Sequence, residues 1–299
     1  MAEPIWGILI AMDLFLGGMA GGAFVTGAWS DLFGKGRYRV LSKSGAYTSL
    51  ISILAGLIFL VLDLKRLPVA PFSVFNAYIH FPVSMMSVGT WTITAFTIVS
   101  ILTSLLWLLN GNRILIKLLE AIGMILGFST AAYTGILLSY ARGRPFWNSP
   151  LLPWLFIITG ILNGLGLVVL GIPIVAKLIP RLDRDFAEFF EQRSRLSESL
   201  KAFGGYTVIL LLLEILATAL FLGTVWGSYG TLALVSGSLS TLFYTFLFLG
   251  LFAPLALGIY NLTMAKDENT IIFGSLVGFV LVLIGGFILR YMILIAGQL

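Results

Sequence analysis

Asp13 stands in "AMDLFLGGMAGGAF" (residues 11–24), a carboxylate in a run otherwise apolar enough to dissolve in lipid. Ionisable groups inside membrane spans are costly, face the bundle interior and mark functional sites by default. Other polar groups occur in comparable surroundings. Asp63 closes a span in "VLDLKRLP", His80 opens "HFPVSMMSVGTW", and Tyr133 lies in "STAAYTGILLSYARGRPFW", followed by Arg142 and Arg144. Arg290 lies in "GGFILRYMILIAGQL", Glu214 in "LLLEILAT" and Asn163 in "GILNGLG". A carboxylate accepts protons and a phenol or a basic group donates hydrogen bonds. Together, among aliphatic walls, they suit an amphipathic ring whose two oxygens exchange protons, as a quinone does. The substrate site of a secondary transporter needs similar groups.

The elements that hold these residues follow from composition. Of 299 residues, 59% are hydrophobic and 10% charged, whereas soluble domains are about one quarter charged. The chain reads as an all-α integral membrane protein. With no cysteine it can carry neither a disulfide, nor a thiolate metal site, nor a cysteine-held iron–sulfur cluster. With one histidine it cannot hold a haem between two histidines. No metal site of its own is expected, so redox centres would be borrowed from a partner. The net charge of +5 reads as a topology signal between apolar segments and not as a nucleic-acid surface.

A helix crosses the hydrocarbon in about 20 mainly apolar residues. Eight such runs are present, over 6–29, 45–64, 83–109, 117–140, 151–176, 205–226, 238–262 and 270–296. They are expected to form a single polytopic membrane domain. The leader "MAEP" has no positive charge, so the first run reads as a retained helix and not as a cleaved signal. Lys35, Arg37, Arg39, Lys43, Arg113, Lys117, Lys177, Arg181, Arg184, Arg193, Arg195, Lys201 and Lys266 fall on one side, thirteen of the eighteen Lys and Arg. Lys65, Arg66, Arg142, Arg144 and Arg290 fall on the other. The positive-inside rule then places both termini on the outer side. The mixed-charge stretch 177–204 reads as a cytoplasmic amphipathic linker.

On this topology Asp13, Asp63, His80, Tyr133, Arg144 and Arg290 all arrive in the outer leaflet. Each has a plainer reading. Asp63, Lys65 and Arg66 serve equally as interfacial anchors, His80 as a loop cap, Arg290 as a snorkelling side chain. Trp147 and Trp154 read as members of an aromatic belt. Gly17, Gly18, Gly21 and Gly22 form overlapping small-x-x-x-small patterns that let helices approach closely. They turn Asp13 into a helix–helix seam. Glu214, placed two to three turns from the cytoplasmic end of its helix, and Asn163 are candidates for a proton path.

The stretches "LFLGGMAGGAF", "HFPVSMMSVGTW", "GFSTAAYTGILLSYARGRPFWNSPLLPWLF" and "GGFILRYMILIAGQ" resemble the NrfD family, which includes polysulfide reductase membrane subunits. The block 130–156 is the most specific. The resemblance covers helices 1 to 5 and 8, whereas helices 6 and 7 match in general character. It implies an eight-helix subunit of the cytoplasmic membrane that binds menaquinone or a similar quinone near the outer face. That subunit would exchange electrons with an iron–sulfur partner serving a molybdopterin catalytic subunit. Tyr133, in "YTG", matches the tyrosine implied to hydrogen-bond the quinone, and Asp63 an acid at the outer end of helix 2. Asp13 falls where the polysulfide reductase relative carries a different polar residue. Quinol oxidation is the direction expected, with a secondary transporter and a passive anchor as alternatives.

Overall fold

Without water, every backbone N–H and C=O in a bilayer must be paired within its own segment, and a helix does this. The computed structural model describes residues 6–34, 38–63, 75–141, 143–178 and 193–299. Within them the eight apolar runs are helices long enough to span a membrane. These are α1 (Ile8–Leu32), α2 (Arg39–Asp63), α3 (Met85–Leu108), α4 (Arg113–Ser139), α5 (Leu152–Leu178), α6 (Arg193–Thr224), α7 (Ser240–Thr263) and α8 (Glu268–Ala296). Short helices at Asn76–Ile79 and Tyr229–Val235 precede α3 and α7. No strand occurs among the described residues. Ile98, Ile101, Leu102 and Leu105 of α3 and Leu212, Leu213, Leu216 and Leu220 of α6 are exposed. Apolar stripes of that kind suit lipid and not water. The chain is a multi-pass membrane protein.

Local chemistry sets the helix ends. Asn112 caps α4, its side chain accepting from Ile114 N at 2.8 Å, and Asp267 caps α8 by accepting from Thr270 N at 3.1 Å. Between α3 and α4 the chain reverses at Asn110, whose φ of 50° is a left-handed conformation that asparagine tolerates. Helix α6 starts at Arg193, twelve residues before the start expected from hydropathy. The reason is periodicity: Leu196, Leu200 and Phe203 are all buried, so the end of the polar linker already presents an apolar helical face. The rest of that linker, 179–192, lies outside the described residues, as do Lys35, Arg37, Lys65, Arg66, Arg142, Arg181 and Arg184. Helix α7 is continuous but widens into a π-helical stretch over Phe246–Phe252. Pro254 follows, with no N–H to donate one turn back.

Helix α1 is the hub, packed against α2, α4, α5 and α8. Its glycines are each spent on a different neighbour. A carbon added at Gly27 would lie 3.0 Å from Gly45 Cα in α2, one at Gly21 would strike the Gly127 carbonyl in α4, and one at Gly22 the Gly160 carbonyl in α5. Helices α1 to α4 form an N-terminal bundle and α5 to α8 a C-terminal one, with α5 packed on α1, α2 and α4. Trp6 N donates to Gln298 Oε1 and Gln298 Nε2 to the Trp6 carbonyl, both at 2.9 Å. The two ends of the chain therefore meet at one end of the molecule, here the termini end.

Candidate functional site

At the termini end of the N-terminal bundle, Asp13 of α1 faces α2 where α2 has no side chain. A carbon added at Gly56 would be 3.5 Å from Asp13 Oδ1. Asp63 lies seven residues further along α2, on the same face by helical periodicity, and interacts electrostatically with Asp13. From α4, Tyr133 also interacts electrostatically with Asp13. Its ring occupies the place where any side chain at Gly89 of α3 would go. One turn from Asp13, Gly17 is buried, yet a carbon added there would meet no atom within 4 Å. All four helices of the bundle therefore contribute to one region: Asp13 and Gly17 from α1, Gly56 and Asp63 from α2, Gly89 from α3 and Tyr133 from α4. Asp13, Asp63 and Tyr133 are all partly exposed. An acceptor and a hydroxyl donor near unfilled space at Gly17 fit a ring carrying two oxygens, and the residues present suit a quinone headgroup.

His80 and Arg144 are placed differently from these three. The helix Asn76–Ile79 is pinned to α3, with Tyr78 OH 2.9 Å from Thr94 Oγ1 and the Tyr78 and Trp91 rings edge to face at 5.3 Å. His80 follows on the turn into α3 with an exposed side chain, and its carbonyl accepts from Ser84 N at 2.9 Å. Arg144 Nη1 donates to the Gln298 carbonyl at 2.7 Å, tying the α4–α5 loop to the C-terminus. Trp147 departs from the expected belt position. It is buried, donates to the Ile293 carbonyl at 2.9 Å and stacks on Trp6 at 5.6 Å. Trp154 is 62% exposed, where a belt residue belongs.

Arg290 does not snorkel. It is 1% exposed, and its Nη2 donates to the Phe156 carbonyl at 2.8 Å and to Thr159 Oγ1 at 3.0 Å. Its guanidinium lies over the Phe156 ring, 3.6 Å from the centroid. Helix α1 makes room for it at Gly18, where an added carbon would be 2.9 Å from Nη2. Gly18 is about 140° around α1 from Asp13, so Arg290 belongs to the far side of that helix. Glu214 of α6, itself buried, acts on Arg290 electrostatically without a hydrogen bond to it. Helix α6 places Glu214 twenty-one residues after Arg193 and ten before Thr224. Asn163, one turn along α5 from Thr159, lies flat against Gly286 of α8. Among the described residues Arg290 Nε and Nη1, Asn163 Oδ1 and Thr218 Oγ1 are buried without a hydrogen-bond partner. The candidate residues thus divide into an Asp13–Asp63–Tyr133 group in the N-terminal bundle and a Glu214–Arg290–Asn163 group in the C-terminal one.

Sequence reasoning did not pick out Gly89 or Gly56, whose contribution is the absence of a side chain. Nor did it pick out Asp31 and Glu120, buried at the end of the N-terminal bundle away from the termini. A signal for Asp31 was available: it lies eighteen residues after Asp13, five full turns, and so on the same face of α1.

Comparison with known proteins bears on the whole chain. The family model described as "Polysulphide reductase, NrfD" matches residues 1–299. A polysulfide reductase subunit of Wolinella succinogenes is 27% identical over 323 aligned positions, covering 98% of this chain and 94% of that one. Protein NrfD of Escherichia coli is 26% identical over 330, covering 99% and 95%. The Hdr-like menaquinol oxidoreductase integral membrane subunit of Archaeoglobus fulgidus is 23% identical over 192, covering 62% and 47%.

Proposed function

The chain belongs to the NrfD family, and from that premise we propose that it is the quinone-reactive membrane subunit of a multi-subunit oxidoreductase, oxidising quinol at the termini end of the N-terminal bundle. The observation that carries this reading is the convergence of all four helices of the bundle, with Asp13 beside Gly56, the Tyr133 ring against Gly89 and open space at Gly17. A bound quinol would supply two electrons and two protons. Asp13 would accept a proton, with Asp63 seven residues along α2 as the next carboxylate toward the surface. The Tyr133 hydroxyl would hold a ring oxygen in place. The aliphatic and glycine-lined walls would exclude water from the reacting oxygens. Names among the relatives, those of a polysulfide reductase subunit and a menaquinol oxidoreductase membrane subunit, support a menaquinone-like ligand and a place among other subunits.

The charge balance of the topology supports the rest. By the positive-inside rule the termini end is the outer face of the cytoplasmic membrane. An iron–sulfur subunit docked there would take the electrons, and a molybdopterin subunit would consume them. If quinol protons are released and used on one face, no charge crosses the membrane. Conserving energy then requires proton movement through the chain, and the Glu214–Arg290–Asn163 group offers buried, incompletely paired polar atoms for it. Purified complex carrying Tyr133→Phe or Asp13→Asn tests the site: loss of quinol oxidation with assembly intact supports the proposal, and normal turnover in both refutes it.

A further inference from the structure

The end of the N-terminal bundle away from the termini holds a second group of buried charges. Asp31, at the end of α1, is 2% exposed and receives Arg113 Nη2 on both of its oxygens at 2.8 Å. Arg113, the first residue of α4, lies over the Trp107 ring of α3 at 4.7 Å, and Lys43 of α2 approaches the same ring at 5.6 Å. Glu120, seven residues into α4, is also 2% exposed. Its Oε1 accepts from Trp107 Nε1 at 3.3 Å. Its Oε2 is buried with no donor among the described residues, and the Glu120 carboxyl is in hydrogen-bond contact with that of Asp31.

Two cations stand near the two acids, but Lys43 approaches the Trp107 ring and is not among the charges that act on Glu120. The Arg113 guanidinium is engaged by both oxygens of Asp31. The charged groups that act on Glu120 are Asp31 and Arg113, so ionised Glu120 would meet one like charge and one cation already taken. Two buried carboxylates in contact cannot both stay ionised, whereas one proton between them removes the repulsion and supplies the donor that Oε2 lacks. We propose that Asp31 and Glu120 form a proton-binding site, one proton being held between the two carboxyl groups and exchanged with the aqueous phase past Arg113. The side chain of Arg113 is 37% exposed, which gives the route to water. Toward Asp13 the packing is largely apolar. Ala20, Phe24, Ala28, Ile53 and Phe96 form an apolar layer between the two ends, with the two phenylalanine rings edge to face at 5.6 Å. The exposed Arg113 side chain places the site's opening at the end of the bundle opposite the Asp13 group.

Infrared spectroscopy of the purified full-length protein tests this. Wild type should show a protonated-carboxyl C=O band that shifts on transfer to D2O. Glu120→Gln should lose that band, while Asp13→Asn and Glu214→Gln retain it. Glutamine has the size and neutrality of the protonated acid, with an amide N–H to give Asp31 and a carbonyl to accept from Trp107. Glu120→Gln is therefore expected to melt with the wild type, and Glu120→Ala below it. Unchanged carboxyl bands in Glu120→Gln would mean a static, fully ionised cluster and overturn the proposal. So would a glutamine variant that melts with or below the alanine one, or fails to fold.

Discussion

Replacing Gly89 by alanine adds a single carbon where the Tyr133 ring now sits. Carbon atoms in contact rest about 3.5–4 Å apart, so the ring must withdraw by on the order of 2 Å or α3 must move away from α4. Alanine is the better helix former by about 1 kcal/mol, so any deficit comes from the clash and not from local backbone preference. A displacement of ~1 Å in a positioned group can cost about 100-fold in rate, roughly 2.7 kcal/mol of transition-state stabilisation. Gly89→Ala in the assembled complex is therefore expected to lower kcat/KM for quinol by about 100-fold while the subunit still folds and assembles. The cost should largely vanish in a Tyr133→Leu background, because the two sites act through one ring. Wild-type kcat/KM in Gly89→Ala, or an undiminished penalty in the Tyr133→Leu background, would refute the assignment of Tyr133 to the site.

The other expectations concern the space beside Asp13 and the C-terminal cluster. Gly17→Ala should leave folding and turnover intact, since the added carbon meets no atom within 4 Å, whereas Gly17→Leu should abolish quinone binding in a folded protein; equal binding in both would show that this space is not used. Arg290→Met strips the Phe156 carbonyl and Thr159 of a donor, a loss of about 1–3 kcal/mol, and removes the positive charge that acts on Glu214. Detergent-solubilised Arg290→Met should thus unfold at lower temperature, and Glu214→Gln in the same chain should restore part of the loss; wild-type melting of Arg290→Met would contradict a structural role for its hydrogen bonds. Glu214→Gln alone should slow proton-coupled turnover in reconstituted vesicles while quinone binding persists, and unchanged proton uptake would count against a path through Glu214.

Most of the architecture was legible because lipid leaves few choices: eight apolar runs could only become eight helices. The ends were less legible. Residues 193–204 carry enough charge to look like a linker on average hydropathy, and only the spacing of Leu196, Leu200 and Phe203 reveals the helix. The glycine pattern of α1 announced close packing, but not that Gly18 faces an arginine and Gly22 a carbonyl. Depth along the membrane placed Asp13, Tyr133 and Arg290 together, because depth can be counted from a span's end. The bearing of Arg290 around α1 could not be counted that way, since it depends on how α8 packs, and that separated Arg290 from Asp13. Gly89 escaped notice for a different reason: a missing side chain has no chemistry of its own until the Tyr133 ring is seen to fill it.

Whether Asp13 and Tyr133 handle quinol together is decided by measuring quinol oxidation and bound quinone in the purified complex, for wild type, Tyr133→Phe and Asp13→Asn. Wild type should retain quinone, and each variant should lose quinol oxidation by about 100-fold or more, the scale of a positioned proton acceptor or donor, with subunit assembly unchanged. Wild-type turnover in both variants, or a wild-type complex that neither binds nor oxidises quinol, would contradict that joint role.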